Sequence, residues 1–424
     1  MKTIFRSLFT IILLISGISI NAQNRNLDNF RSPDKNGINV FEAPKDSVST
    51  FENVKVRIGG ASTLQFQALD HENSGAVELK SIGSNFNLAT ANLDLDVALA
   101  KGVRMHLRTY LSSRHHPEPY VKGGYFQIDN LDFISEGLLS NLMKNTTLKI
   151  GHMENNYGDA HFRRTDNAQA IYNPFVGNLI MDSFTTEVGA ELYYQCDSGF
   201  LGMIGFSNGK LNQSVAESSN EKTGGAALLA KLGYDKQVTN DFRFRLTGSL
   251  YHTGYAPSVY LYTADRTGSR YYFVMEDVDA GASSPFRSGR FDPGFRNQIT
   301  AMMFNPFLKY QGLEFFGTLE FSNGKASAET DTRKATQVAG EVIYRFGATE
   351  NFYLGARYNT VSAELSSSED VDINRFQLGT GYFLTKNVLM KLEYVNQTYD
   401  GYDTTSILHD GKFNGLMAEA VISF

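Results

Sequence analysis

The stretch "GDAHFRRTDNAQAIYNPFVGN", Gly158 to Asn178, gathers an imidazole, two guanidiniums and two carboxylates within a few residues. His161, Arg163, Arg164, Asp159 and Asp166 are groups that move protons, grip phosphate or carboxylate, or stand in solvent. Three readings stay open at this point: a catalytic loop, an anion grip and a solvated surface loop. The run has no clean strand period, so its place in the fold must decide.

Chemistry elsewhere in the chain is sparse. Nucleophilic hydrolysis needs a Ser or Asp held by His, yet neither GxSxG nor HExxH occurs. "HH" at 115–116, followed by "PEP", reads as a tight polar loop rather than a metal site. The acidic runs "SSSEDVD" and "YDTTSILHDG" lack the spacing of a dedicated Ca²⁺ loop. Cys196 is the one cysteine, which excludes an intramolecular disulfide and a Cys-based zinc cluster. The sequence therefore assigns no catalytic, cofactor-binding or metal residue, and the chain is read as a non-enzyme. A net charge of −6 argues weakly against a nucleic-acid partner.

The elements that must position the run are strands. The chain holds 38 Gly, 22 Tyr and 31 Phe but no Trp, which suits many turned, pleated strands. "ANLDLDVALAKGVRMHLRTYLSS" shows the repeating unit: an alternating run, the tight turn "AKG", and a second alternating run. Period-two alternation puts Leu93, Leu95, Val97 and Leu99 on one face and Asn92, Asp94 and Asp96 on the other. Candidate strands fall near 54–69, 85–99, 102–113, 121–130, 146–155, 184–196, 199–208 and 223–235. The others fall near 241–254, 297–310, 312–323, 334–346, 351–363, 372–384, 387–399 and 412–424. That makes sixteen; a weak extra strand around "SRYYFVME" reads either as part of a hairpin inside loop 255–296 or as raising the count to eighteen.

Short turns alternate with long loops (70–84, 156–183, 209–222, 255–296, 400–411), the pattern of a transmembrane barrel. In lipid every backbone N–H and C=O must be paired within the protein, and a closed sheet achieves this. The expected fold is an all-β transmembrane antiparallel barrel over 53–424, its charged faces lining a water-filled lumen. Tyr110, Tyr125, Tyr193, Tyr251, Phe346, Tyr353, Phe383 and Tyr399 are expected as the interfacial girdles. "NLDFISEGLLSNLMKN", 130–145, has apolar residues at helical spacing and predicts an amphipathic helix over the mouth.

At the start, Lys2 and Arg6 precede an apolar run from Leu8 to Ile15, with Ala22 before a cut; residues 1–22 read as a signal peptide. Residues 23–52 are polar without periodicity and read as a flexible periplasmic segment, with a short capping or partner-binding segment as the other reading. The last run, "FNGLMAEAVISF", ends an alternating strand on Phe424, which resembles the signal that outer-membrane barrels present to their assembly machinery.

Counting loops on the long side makes 156–183 the third. With its flanking strands, "LKIGHMENNYGDAHFRRTDNAQAIYNPFVGNLIMDSFTTEVG", and with the final "AVISF", the chain resembles the Gram-negative porin superfamily. More narrowly it is similar to the anion-favouring, phosphate-selective-type and DcaP-like porins, Bacteroidetes included. The resemblance implies an outer-membrane homotrimer, passive diffusion of small hydrophilic or anionic solutes, no cofactor, and a third loop folded into the lumen. His161, Arg163, Arg164, Asp159 and Asp166 are then expected at the constriction, and "NPFVGN" as the turn returning the chain to the next strand. Alternation phase points Arg57, Arg104, His106, Arg108 and Lys149 inward as a basic wall, with Asp94, Asp96 and Asp129 opposing it. The competing class is an adhesin or secretion-associated barrel, which loop 255–296 would plug.

Overall fold

The computed structural model describes residues 27–46, 48–113, 119–164, 169–217, 223–263, 272–281 and 287–424. The signal-peptide reading, the "HH" pair and Asp166 lie outside them.

Sixteen antiparallel strands close on themselves. The first eight are β1 (Lys55–Glu72), β2 (Asn85–Ala100), β3 (Val103–Ser112), β4 (Tyr120–Ile128), β5 (Thr146–Glu154), β6 (Thr186–Gln195), β7 (Phe200–Ser207) and β8 (Ala227–Gln237). The second eight are β9 (Phe242–Thr253), β10 (Gln298–Tyr310), β11 (Leu313–Lys325), β12 (Arg333–Phe346), β13 (Phe352–Glu364), β14 (Asp370–Thr385), β15 (Val388–Asp400) and β16 (Lys412–Ser423). Each strand pairs with its neighbour in sequence, and β1 closes against β16 with Ala61 opposite Ser423. Phe424 extends that seam, its backbone exchanging hydrogen bonds with Gly60 at 3.0 and 3.1 Å. The eighteen-strand count is excluded: near "SRYYFVME" the described residues make only an isolated bridge, Leu79 to Asp277.

The alternation has a direct physical consequence. On β8, Leu232 stands 73% exposed on the outer wall while its neighbour Lys231 is buried inside. Outward apolar side chains recur on every sector, which is what a lipid-facing band requires. Inward side chains form ladders of opposite charge set by register. Asp94 faces Arg108 across β2 and β3, Glu341 faces Arg357 across β12 and β13, and Lys391 faces Glu419 across β15 and β16. Cross-strand pairing at this spacing lets each buried charge find a partner.

Three local expectations change. Tyr110, Tyr193, Tyr251, Tyr353, Phe383 and Tyr399 are buried in the lumen rather than set in a girdle. Phe346 faces outward as expected, and the other outward rings include Phe200, Tyr310, Tyr344 and Tyr382. The mouth helix shrinks to one turn, Ser140–Met143, because Gly137 and Leu139 both adopt positive φ. Of its apolar residues only Met143 is buried. Finally, residues 27–46 do not hang loose: Leu27, Phe41, Asn29, Asp34 and Asn39 are buried, inside the short-turn end of the barrel.

Candidate functional site

The lumen is narrowed by three inserted segments, each held by the inward faces of the strands. The third loop, residues 155–185, crosses from β5 to the opposite wall. Buried irregular backbone must satisfy its own polar groups, and here the wall supplies the partners. Asn359 on β13 accepts from the Ile180 N–H at 2.7 Å, and Gln337 on β12 both accepts from Met181 N–H and donates to its carbonyl. Glu393 on β15 accepts from the N–H groups of Val176 and Gly177 at 2.8 and 3.2 Å. Tyr353 donates to the Pro174 carbonyl, and Lys391 to those of Ala170 and Phe175. "NPFVGN" is therefore the far anchor of the loop, not its return turn. A side chain on Gly379 would strike Phe175 at 2.9 Å, so β14 needs glycine where the loop tip docks.

The charged run at the centre of this loop is an anchoring network. Asp159 is fully buried and accepts from Arg245 Nε and Nη2 at 2.8 Å, Thr247 at 2.8 Å and Lys231 at 3.0 Å. Burial opposes its charged form, but Arg245 and Lys231 outweigh that and hold the carboxyl well below the usual range. Arg164 grips Asp182 through two bonds of 3.0 and 2.6 Å, with Arg290 adding a third contact at 3.4 Å. Against the same opposing burial, these two guanidiniums lower Asp182 to about 2. Arg163 meets Glu341 at 3.3 Å and Asn39 at 2.8 Å. His161 lies between Glu154 at 2.5 Å and Asn156 at 3.0 Å. Asp159 and Arg163 thus tie the loop to the wall, Arg164 ties it to itself and His161 ties it to the end of β5; of the four described, only His161 also borders the open space.

The described part of loop 255–296 folds inward beside the third loop. Val259, Leu261, Tyr262, Tyr272, Val274 and Phe291 are buried in one apolar cluster with Val176, Ile180 and Met181. Tyr157 and Tyr262, one from each loop, both donate to Glu320 on β11, at 3.0 and 2.7 Å. The two loops fill the half of the lumen bounded by β8 to β15.

What remains open lies against β2 to β5. A cavity of about 180 Å³ is bordered there by Arg104, His106, Arg108, Lys122 and Lys149. Four of the five basic residues expected from alternation border this cavity, and Lys122, which the alternation passes over, joins them. A register shift between Arg108 and Thr109 breaks the phase of β4, and that is why Lys122 was missed. Most of the wall is already neutralised. Arg108 forms a two-bond fork with Asp94 at 2.7 and 2.6 Å. Asp96 takes Arg57 at 3.1 Å, His106 at 2.8 Å and Arg104 at 3.6 Å. Arg57 does not reach this cavity. Lys149 differs. Its register partner Glu191 is turned away to the Asn156 N–H and the Tyr193 hydroxyl. Lys149 Nζ instead sits 4.8 Å over the Tyr193 ring and 5.7 Å over Tyr125, with no carboxylate at ion-pair distance among the described residues. Among those residues no cluster of His, Cys, Asp and Glu has the arrangement of a metal site.

With this geometry in view, solved structures with the same arrangement of strands can be set beside it. An anion-selective porin from Comamonas acidovorans superposes with a TM-score of 0.54 at 10% identity, covering 88% of this chain and 100% of the other. The outer-membrane channel DcaP of Acinetobacter baumannii gives 0.53 at 10% identity over 88% and 98%. OmpT of Vibrio cholerae, an outer-membrane protein in trimer form, gives 0.51 at 12% over 88% and 100%. The fold is that of the outer-membrane porins. No family model and no curated protein sequence matches the chain. At such identities the likeness extends to architecture and to no particular solute.

Proposed function

We propose that this protein is an outer-membrane channel for passive diffusion of small hydrophilic solutes, biased toward anions. The observation that carries the reading is the asymmetry of the lumen. Inserted loops fill one half, and the open remainder lies along a wall where Lys149 has no carboxylate partner among the described residues. A charged wall in a narrow, partly desolvated passage concentrates counter-ions far more than the same charge on a surface.

A homotrimer, export by a cleaved leader and assembly through the outward ring of Phe424 belong to the same proposal. Phe424 stands 55% exposed beside the closing seam, where assembly machinery can reach it. The test of the channel reading is a swelling assay on proteoliposomes in sugars and sugar acids of rising size. Entry that falls with size and favours the acid over the neutral sugar supports it. Vesicles that exclude even the smallest solutes would refute it.

A further inference from the structure

Residues 29–46 follow the inner wall of the barrel through a full circuit. The segment begins at β3, where Arg104 donates to the Asn29 carbonyl at 3.2 Å. Phe30 then lies under the Arg57 guanidinium of β1 at 4.9 Å. Next come β16 and the β14–β15 turn: Ser423 donates to Pro33 O at 2.6 Å, and the Lys35 N–H to Lys386 O at 2.8 Å. Lys35 Nζ reaches Asn351, in the β12–β13 turn, at 2.5 Å. Asn39 donates to Glu314 of β11 at 2.6 Å, and its carbonyl accepts from Arg243 of β9 at 2.9 Å. Glu42 pairs with Arg245 at 2.8 Å and with Lys231 of β8 at 3.3 Å. Lys45 finally meets Asp129 and the Thr146 carbonyl, between β4 and β5.

These partners succeed one another in barrel order. The circuit is then clasped. The Asn29 N–H donates to the Asp46 carboxylate and the Asp46 N–H to the Asn29 side chain, both at 2.6 Å. Extended chain at about 3.4 Å per residue gives this segment a reach of roughly 60 Å, less than a wall of sixteen strands spaced about 4.8 Å apart, so the circuit runs inside the wall and touches it largely through side chains. Phe41, packed against Phe307 at 5.4 Å and Phe162 at 6.0 Å, pins the far side under the third loop.

This ring stands between two open spaces. The 180 Å³ cavity is bordered below by Phe30, Arg31, Phe41 and Glu42. A vestibule of about 490 Å³ at the short-turn mouth is bordered by Asp28, Asn29, Lys45 and Asp46. Arg31 faces the upper space. Its Nε donates to Gly37 O at 3.0 Å, its Nη2 to Phe162 O at 3.2 Å, and its guanidinium stacks 3.7 Å over Tyr172. No carboxylate lies at ion-pair distance from it among the described residues. Of the acids bordering the same space, Glu154 meets His161, and Glu42 is committed to Arg245 and Lys231.

We propose that residues 29–46 are an internal collar that sets the width and the charge of the channel, with Arg31 and Lys149 as the two cations a small permeating anion meets. The proposal rests on the channel reading above and deepens it. The collar supplies from below what the third loop supplies from above, so selectivity belongs partly to a segment that is no part of the barrel's strands or loops. Guanidinium stacked on tyrosine keeps a fixed orientation at the cavity edge, which suits a compact oxyanion or halide rather than a bulky one.

The test is single-channel recording of the full mature chain in planar bilayers under KCl gradients. Arg31→Gln should lower the chloride-to-potassium permeability ratio about threefold or more, and Arg31→Lys should restore most of it. The double change Asn29→Ala with Asp46→Ala, which opens the clasp, should raise unit conductance. An independent arm places a thiol at the site: Arg31→Cys in a Cys196→Ser background. A negatively charged sulfonate reagent from the short-turn side should then reduce chloride current. Wild-type steps with an unaltered permeability ratio in Arg31→Gln would overturn the collar proposal while leaving the channel intact. Steps that appear only when the clasp is opened would overturn its selectivity role and make it a seal. Silence in the wild type and in every variant would overturn the channel reading itself.

Discussion

Asp159→Asn is the sharpest perturbation of the loop network. The wild-type carboxylate takes four donors, from Arg245 (twice), Lys231 and Thr247, and has no solvent exposure. The amide keeps the shape but removes the charge, and its NH₂ can only donate toward groups that also donate. Glu42 then remains on both cations, at 2.8 and 3.3 Å, and Asp235 on Arg245 at 3.0 Å. Breaking a buried ion pair from one side costs about 3–5 kcal/mol. Glu42 retains part of the pairing, so about 3 kcal/mol is the expected loss. At 1.4 kcal/mol per decade this is roughly a hundredfold shift between docked and undocked third loop. Single-channel recording reads this directly as flicker between conductance levels, and protease added from the long-loop side reads it as new cleavage near residue 160. Quiet wild-type-like currents together with unchanged protection would refute the anchoring role.

Other outcomes follow from the same geometry. Asp182 is depressed from 3.8 to about 2, so its contribution is fully present above the unfolded value and lost as pH falls through the folded one. Loop docking should therefore hold down to about pH 4 and weaken between about pH 4 and 2, by about 2 kcal/mol, read by the same protease assay. Leu232→Arg, on the outer face at the middle of β8, should destabilise the folded barrel in bilayers by about 2–4 kcal/mol in reversible urea unfolding. Gly379→Leu should displace Phe175 and undock the loop tip while leaving the barrel folded, with flicker as in Asp159→Asn.

Much of the architecture was legible because a barrel writes itself in period two. Leu232 beside Lys231, or Leu93 beside Asp94, reports which face meets lipid and which meets the lumen, and all sixteen strands fall within a few residues of their expected spans. The girdle aromatics failed for a related reason. Tyr353 and Tyr399 sit near strand ends, but phase rather than position decides which side a ring faces. The site was read less well. The third loop's charges were placed in the lumen by loop order, yet nothing local shows that Arg164 has Asp182 as its partner. That pair joins residues 18 apart within one loop, and Asp159 with Arg245 joins loop to wall across 86 residues. The collar was hidden most completely: 29–46 has no periodicity because its backbone follows a wall instead of a strand ladder or helix. Its weak signals were Phe30, Phe41 and the Asn29 and Asp46 side chains, which gain meaning only once a cavity surrounds them.

Loop 255–296 was expected to separate a plugged barrel from an open one. Its described residues pack into the β8–β15 half together with the third loop, and the space beside Lys149 lies outside that half. The central claim is that this remaining passage conducts and prefers anions. The most direct measurement is the reversal potential of the wild-type channel in a KCl gradient across a planar bilayer. A stepwise current that reverses toward the chloride equilibrium potential is the predicted result. Reversal toward the potassium potential would contradict the anion bias, and a bilayer without steps would contradict the channel.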